Sequence, residues 1–184
     1  MRYPVAETAE KHDRILEQAA RLFRDKGFDG VSVSEIMKTT GLTHGPFYNH
    51  FESKQALMAE CIAHASSKAL KTLEASAPSD QGWSDYAAAY LSQAHRDKPA
   101  DGCLIAALGS EIARAPAVKV TLTEHVRRTL ERMAGHFPWG RGEPARTKAI
   151  HALATMVGAM VLARGIDDEA LSNEILAKVR SSLT

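Results

Sequence analysis

The chain has 184 residues, 45% of them hydrophobic, 24% charged and 6% aromatic. That length allows one large domain, or a small one joined to a larger, and buries a core without disulfide or metal staples. Twenty-three Lys and Arg against 22 Asp and Glu leave a net charge of +1, which excludes both a polybasic nucleic-acid binder and an acidic disordered tail.

Two cysteines, Cys61 and Cys103, are too few for a disulfide framework and point to a reducing cytoplasm. Residues 1–10 carry no apolar run behind Arg2, so no signal peptide is expected. The most apolar stretch, 149–163, falls short of the roughly 20 residues that span a bilayer. It reads as a buried helix, with no membrane partner.

Helical spacing runs through the chain and strand signals are nearly missing. Ile15, Leu16, Ala19, Leu22 and Phe23 form the stripe of a first helix that stops at Gly27. Ser32 with Glu35 is a capping-box pattern for a short second helix ending at Gly41. Thr43 can cap a third short helix reaching Phe51. Ser53 can cap a long fourth one bearing Leu57, Cys61, Ala65 and Leu73.

Breakers follow at 78–82, 99–102, 116 and 138–144. Asp101 is placed to cap the helix after Gly102, and Asp167 or Asp168 the last one, which carries Leu171, Ile175, Leu176 and Val179. The segment 149–163 is apolar on two sides. Ile150, Leu153, Val157, Met160 and Val161 form one stripe, and Ala149, Ala152, Met156, Ala159 and Ala163 the other. Such a helix is buried nearly all round. It is either the centre of a monomeric bundle or half of a dimeric one, with the alanine face against the partner.

Chemistry-bearing patterns are few. Cys61 and His64 have Cys-x-x-His spacing, but a metal site needs three or four converging ligands and no second pair matches. Gly-rich phosphate loops, H-E-x-x-H and G-x-S-x-G are missing. No enzyme, metal or cofactor is expected.

Residues 32–51 read as two short helices around a Gly41-Leu42 turn, the helix-turn-helix plan. Its second helix enters the DNA major groove with its N-terminal residues nearest the bases. Here that helix carries Thr43-His44-Gly45-Pro46-Phe47-Tyr48-Asn49-His50. Thr43 and Gly45 are small, Pro46 is tolerated within a first turn, and Tyr48, Asn49 and His50 can meet phosphates or base edges.

Gly27-Phe28, Ser32-Val33-Ser34-Glu35-Ile36, the run from Gly41 to Phe51, and Ser53-Lys54-Gln55-Ala56-Leu57 together resemble the signature of the TetR/AcrR family of bacterial transcriptional regulators. The resemblance covers about 50 residues and implies an all-α fold. Residues 1–52 would form a three-helix helix-turn-helix domain, and 53–184 a larger helical domain for ligand binding and dimerisation. It implies phosphate contacts for Ser32, Tyr48, His50 and Lys54, base contacts for Thr43, His44 and Gly45, and either for Asn49. Phe47 and Phe51 would be core pegs. Pro46 and His44 depart from many relatives, so sequence preference does not transfer directly.

The resemblance further implies an operator-DNA partner, a small-molecule effector, and a homodimer through the last two helices, about 143–164 and 168–182. This favours the dimeric reading of the alanine face. Cys61, His64, Trp83, Tyr86, Tyr90, Cys103, Leu104, His125, Met133, Met156 and Met160 are pocket candidates, because effector sites are mostly apolar clefts with a few polar groups. The expected function is a repressor released from DNA by its ligand, the fourth helix serving as lever. Cys103, at the start of a helix, offers an alternative as a redox or electrophile sensor. A further alternative is a ligand carrier that no longer binds DNA.

Charge sharpens the expectation. Residues 1–60 hold eight Lys and Arg against nine Asp and Glu, a balance of −1. A reader so charged grips DNA through placed groups, which predicts a shallow salt dependence. If His44 and His50 met phosphates, binding would tighten toward pH 6.

Overall fold

The computed structural model describes residues 5–42 and 45–184, apart from the side chains of residues 5–8 and Pro46. The described residues are helical throughout and contain no strand. In chain order they form α1 (Val5–Lys26), α2 (Val33–Thr39), a 3₁₀ helix (Gly45–Asn49), α3 (Lys54–Glu74), α4 (Asp80–Tyr90) and α5 (Gln93–Arg96). A second 3₁₀ helix (Pro99–Asp101), α6 (Leu104–Ile112), α7 (Pro116–His136), α8 (Ala145–Gly165) and α9 (Glu169–Leu183) complete the chain.

The caps explain most boundaries. Ser32 and Ser53 accept from the backbone N–H of Glu35 (3.1 Å) and Ala56 (3.0 Å), so α2 and α3 begin where their capping serines predict. Asp168, the later of the two candidates, caps α9 through Leu171 N–H (3.0 Å). Pro116 opens α7, where its missing N–H is not needed. Asp101 does not cap α6. It lies in the preceding 3₁₀ helix and pairs with Arg21 of α1, while Cys103 takes the cap position without a side-chain bond.

Two hydrophobic cores result. The first gathers Ile15, Ala19 and Phe23 of α1, Ile36 and Met37 of α2, Phe47 and Phe51, and Leu57 and Ile62 of α3. It also draws in Leu108 and Ile112 of α6 and Val118 of α7. The second joins Leu73, Trp83, Met133 and Phe137 to Ala149, Ala152, Met156, Ala159, Met160 and Ala163 of α8, with Leu176 of α9. Burying side chains of these sizes contributes about 1.5–3 kcal/mol for each large one.

The alanine face of α8 therefore turns inward, against α6, α7 and α9 of its own chain. Small side chains let those helices pack closely. The bulkier residues Ile150, Val161 and Leu162 face outward at 43%, 47% and 57% exposure. This reverses the orientation expected for the alanine stripe and for Ile150 and Val161, whereas Met160 is buried and Leu153 packs against the core as expected.

Candidate functional site

Five residues form the exposed tip of the first core. Phe47 is fully buried and Phe51 nearly so, whereas Tyr48 between them is 65% exposed. Aromatic contacts fix the tip: Phe47 meets Phe51 at 5.6 Å between ring centres, and His12 of α1 stacks on Phe51 at 4.6 Å. His12 in turn bonds the Glu60 carboxylate of α3 at 3.0 Å. Asn49 is exposed and His50 half-buried. Gly45 is exposed, and a Cβ there would meet nothing within 4 Å, so packing within the chain does not require glycine. Thr43 and His44 lie outside the described residues. Among the described residues the segment is a 3₁₀ helix over Gly45–Asn49, ending two residues short of the Phe51 expected as the end of the third helix.

Two flanking groups are engaged within the chain. The Lys54 ammonium donates to the Phe28 carbonyl at 2.6 Å, clipping the start of α3 to the end of α1. The Ser32 hydroxyl caps α2. Glu35 bonds Lys26 at 2.7 Å, and that bond holds its carboxyl below the usual range. His50 is shifted down from its ordinary value by burial first, then by His12 and Lys11.

A second constellation lies between α3, α4, α6, α7 and α8, around a cavity of about 270 Å³. Of the sequence candidates, Tyr86, Tyr90, Cys103, Leu104 and His125 line it. The others are placed elsewhere. Cys61 is buried in the first core, its thiol pushed up by burial. Met133, Met156 and Met160 fill the second core, and Trp83 joins an aromatic cluster with Phe137 and Trp139. His64 is half-buried on α3, outside the lining. Apolar residues at helical spacing look the same in a sequence whether they line a cavity or fill a core.

Arg24, Lys68, His95, Gly102, Thr129 and Leu153 also line the cavity and escaped sequence reasoning. Helical spacing held one usable signal, since Thr129 lies one turn beyond His125 on α7. His125 Nδ1 pairs with the Ser66 hydroxyl at 2.8 Å, joining α7 to α3. Burial, then Arg128, holds this imidazole below its ordinary value. His95 uses both ring nitrogens: Nδ1 meets the Tyr90 carbonyl at 2.6 Å and Nε2 accepts the Cys103 N–H at 2.9 Å. That arrangement requires the neutral tautomer with its proton on Nδ1. Burial pushes the Tyr86 phenol up to about 12, and Cys103 adds to the shift.

The cavity wall is fastened to α1. Besides the Arg21–Asp101 pair, Arg24 Nε donates to the Ala100 carbonyl at 2.7 Å. The Phe28 N–H donates to Glu111 of α6 at 2.7 Å. Gly27, with φ +75°, fits because a Cβ would come within 2.5 Å of that carboxylate. Among the described residues no three His, Cys, Asp or Glu side chains converge as a metal site. No described helix is long and apolar enough to cross a membrane.

Comparison with known proteins places these features. Residues 15–61 match the model of bacterial regulatory proteins of the tetR family. The HTH-type transcriptional regulator YdgC of Bacillus subtilis is 42% identical over 65 residues, 35% of this chain and 33% of that protein. The HTH-type transcriptional repressor DhaR of Mycobacterium sp. is 29% identical over 118 residues, 61% of this chain and 57% of that protein. The chain thus matches about a third and just over half of these relatives' lengths. In three dimensions it is similar to reduced E. coli NemR, with a TM-score of 0.79, 20% identity and 95% of each chain covered.

Proposed function

Because the chain belongs to the TetR family of bacterial regulatory proteins, we propose that it is a DNA-binding transcriptional repressor, released from its operator when a small molecule enters the 270 Å³ cavity. One observation carries the reading: Phe47 and Phe51 anchor the tip while Tyr48 projects at 65% exposure. A short element fixed from behind and exposed in front suits insertion into a groove. Tyr48, Asn49 and His50 contact DNA there, with Thr43, His44 and Gly45 nearest the bases. The N-termini of α2 and α3, at Ser32 and Lys54, receive phosphates. The open space at Gly45 supports close approach by the duplex.

Residues 1–52 read DNA and 53–184 sense and dimerise, in the cytoplasm, with no catalytic step. Two protomers join through α8 and α9, over a face that includes Ile150, Val161 and Leu162. Isologous pairing sets two tips one helical turn apart, about 34 Å. The effector must bind differently to the two dimer geometries, and DNA affinity then falls by the same factor. The lever is α3 together with α6 and the 3₁₀ helix before it, because Asp101 and Ala100 tie that helix to α1 and Glu111 ties α6 to Phe28 just beyond α1. That DhaR is named a repressor supports the mode.

A mobility-shift assay with the DNA upstream of the protein's own gene tests the reading. Wild-type protein should shift it specifically. Tyr48→Ala should weaken binding by about tenfold, a loss near 1.4 kcal/mol, without lowering thermal stability. Equal affinity for upstream and unrelated DNA would sink the proposal.

A further inference from the structure

A serine or threonine inside a helix can give its hydroxyl proton to the carbonyl four residues back. Ser67 and Thr72 of α3 do so, as does Thr123 of α7. Ser66 of α3 and Thr129 of α7 do not. Among the described residues, the partner of each is instead Nδ1 of His125, at 2.8 Å from Ser66 and 3.5 Å from Thr129. All three side chains are buried, Ser66 and His125 at 4% exposure and Thr129 at 7%. The trio cross-links α3 and α7, and His125 and Thr129 line the 270 Å³ cavity.

Two hydroxyls converging on one ring nitrogen fix the tautomer. Burial, then Arg128, holds the imidazole below its ordinary value, so at neutral pH it carries a single proton. If Nδ1 held that proton, the hydroxyl protons of Ser66 and Thr129 would both be buried without an acceptor, which is costly. With Nδ1 as their acceptor, the proton sits on Nε2. Among the described residues Nε2 has no partner. Unlike the fully enclosed Tyr90 hydroxyl, it keeps accessible surface, and the space beside it is the cavity that His125 lines. A buried donor with no acceptor in the chain calls for one from outside.

We propose that the cavity binds a small uncharged carbonyl compound, its oxygen accepting from His125 Nε2–H and its hydrocarbon part lying against Ala65, Leu70, Leu73, Ile105 and Leu153. A 270 Å³ space holds about ten non-hydrogen atoms, since a cavity of about 150 Å³ takes benzene. A hydrocarbon of that size would leave the N–H unpaired. An ammonium would set donor against donor and press a full charge on an apolar wall. A carboxylate would lose the hydration of a full charge, of which one neutral N–H returns only part. An alcohol could accept the bond but would bury its own proton. A carbonyl oxygen has less hydration to lose than an ion and no proton to place. This inference rests on the reading of the cavity as the effector site.

The test uses full-length protein with acetophenone, 2-heptanone and cyclohexyl methyl ketone, each beside the alcohol and the amine on the same carbon skeleton, and with benzoate. Saturated ketones do not alkylate Cys103. Titration calorimetry should show at least one ketone bound about fivefold tighter than its alcohol, with its amine and benzoate weaker still. His125→Leu should erase that preference. In wild-type protein carrying ¹⁵N-histidine, NMR should place the His125 proton on Nε2. The carbonyl carbon of the bound ketone, labelled with ¹³C, should move downfield as its oxygen accepts the bond. These wild-type spectra carry the decision if His125→Leu fails to fold.

A His125 proton on Nδ1, an alcohol, amine or benzoate bound as tightly as every ketone, no ketone binding up to about 1 mM, or an undiminished preference in folded His125→Leu would each overturn the inference. The mobility-shift assay separates it from the broader proposal. Ketone binding that leaves DNA affinity unchanged sustains the ligand class and overturns control by this cavity. Release of DNA by an amine or benzoate, with the ketones inactive, does the reverse.

Discussion

The two cores solve opposite problems. The first is closed by large aromatic and branched side chains, and it holds the tip Gly45–Asn49 against α1 and α3. The second rests on alanines and methionines of α8, and the cavity lies beside it. A reading element has to present the same shape at each encounter, so its supports are filled. A sensing element of the kind proposed has to make room for its ligand, so space remains in it. Where a chain leaves space tells as much about function as where it fills it.

Truncating a peg should break this contrast most severely. Phe47→Ala removes a fully buried ring and should cost about 3–5 kcal/mol, read from urea unfolding, with loss of operator binding. A loss below about 1 kcal/mol would mean that the first core is looser than its packing indicates. Next comes the strap between the two regions. Glu111→Ala strips the Phe28 N–H of its acceptor and should cost about 1–3 kcal/mol. Operator affinity should also respond less to a cavity ligand. If stability falls while ligand control stays intact, α6 does not carry the signal.

The mildest effect is with pH. His50, His95 and His125 are all held below their ordinary value, each chiefly by burial. A lowered value means that the folded chain takes up these protons less readily than the unfolded chain. Their contribution to stability is full above the unfolded value near 6.5 and is lost as pH falls below it. Thermal melts should be level from pH 8 to about 7 and decline toward pH 5, with each 1 kcal/mol costing about 2–4 °C in a chain of this size. His125→Gln should flatten the curve if the sensor dominates, and His50→Gln if the tip does. The same shift on His50 moves any proton-driven gain in DNA affinity from pH 6 to lower pH.

Legibility differs between the regions as sharply as packing does. Ser32, Gly41, Phe47, Phe51 and Ser53 announce the first region because caps, turns and pegs act over a few residues. The role of the second 3₁₀ helix and α6 was hidden because their partners, Arg21, Arg24 and Phe28, lie 76 to 83 residues away from Asp101, Ala100 and Glu111. The direction of α8 was hidden for another reason. Its two stripes are both apolar, and only the shape of the neighbouring helices decides that alanines go in and Ile150 and Val161 go out. Tyr90 and His125 were identifiable as pocket candidates by residue type, whereas Lys68 and Thr129 looked like ordinary helix-surface residues.

The presence of Leu108, Ile112 and Val118 in the first core has a consequence for synthesis. A ribosome that has released Phe51 has still to add 67 residues before Val118 exists. At about 5–20 residues per second that is a wait of roughly 3 to 13 s. During that interval the nascent chain holds an unfinished apolar surface formed by α1 and α3, open to chaperones and to misassembly. Completion of the first core is therefore timed by translation of α6 and the start of α7, and a fragment ending at residue 52 should not reach its native stability.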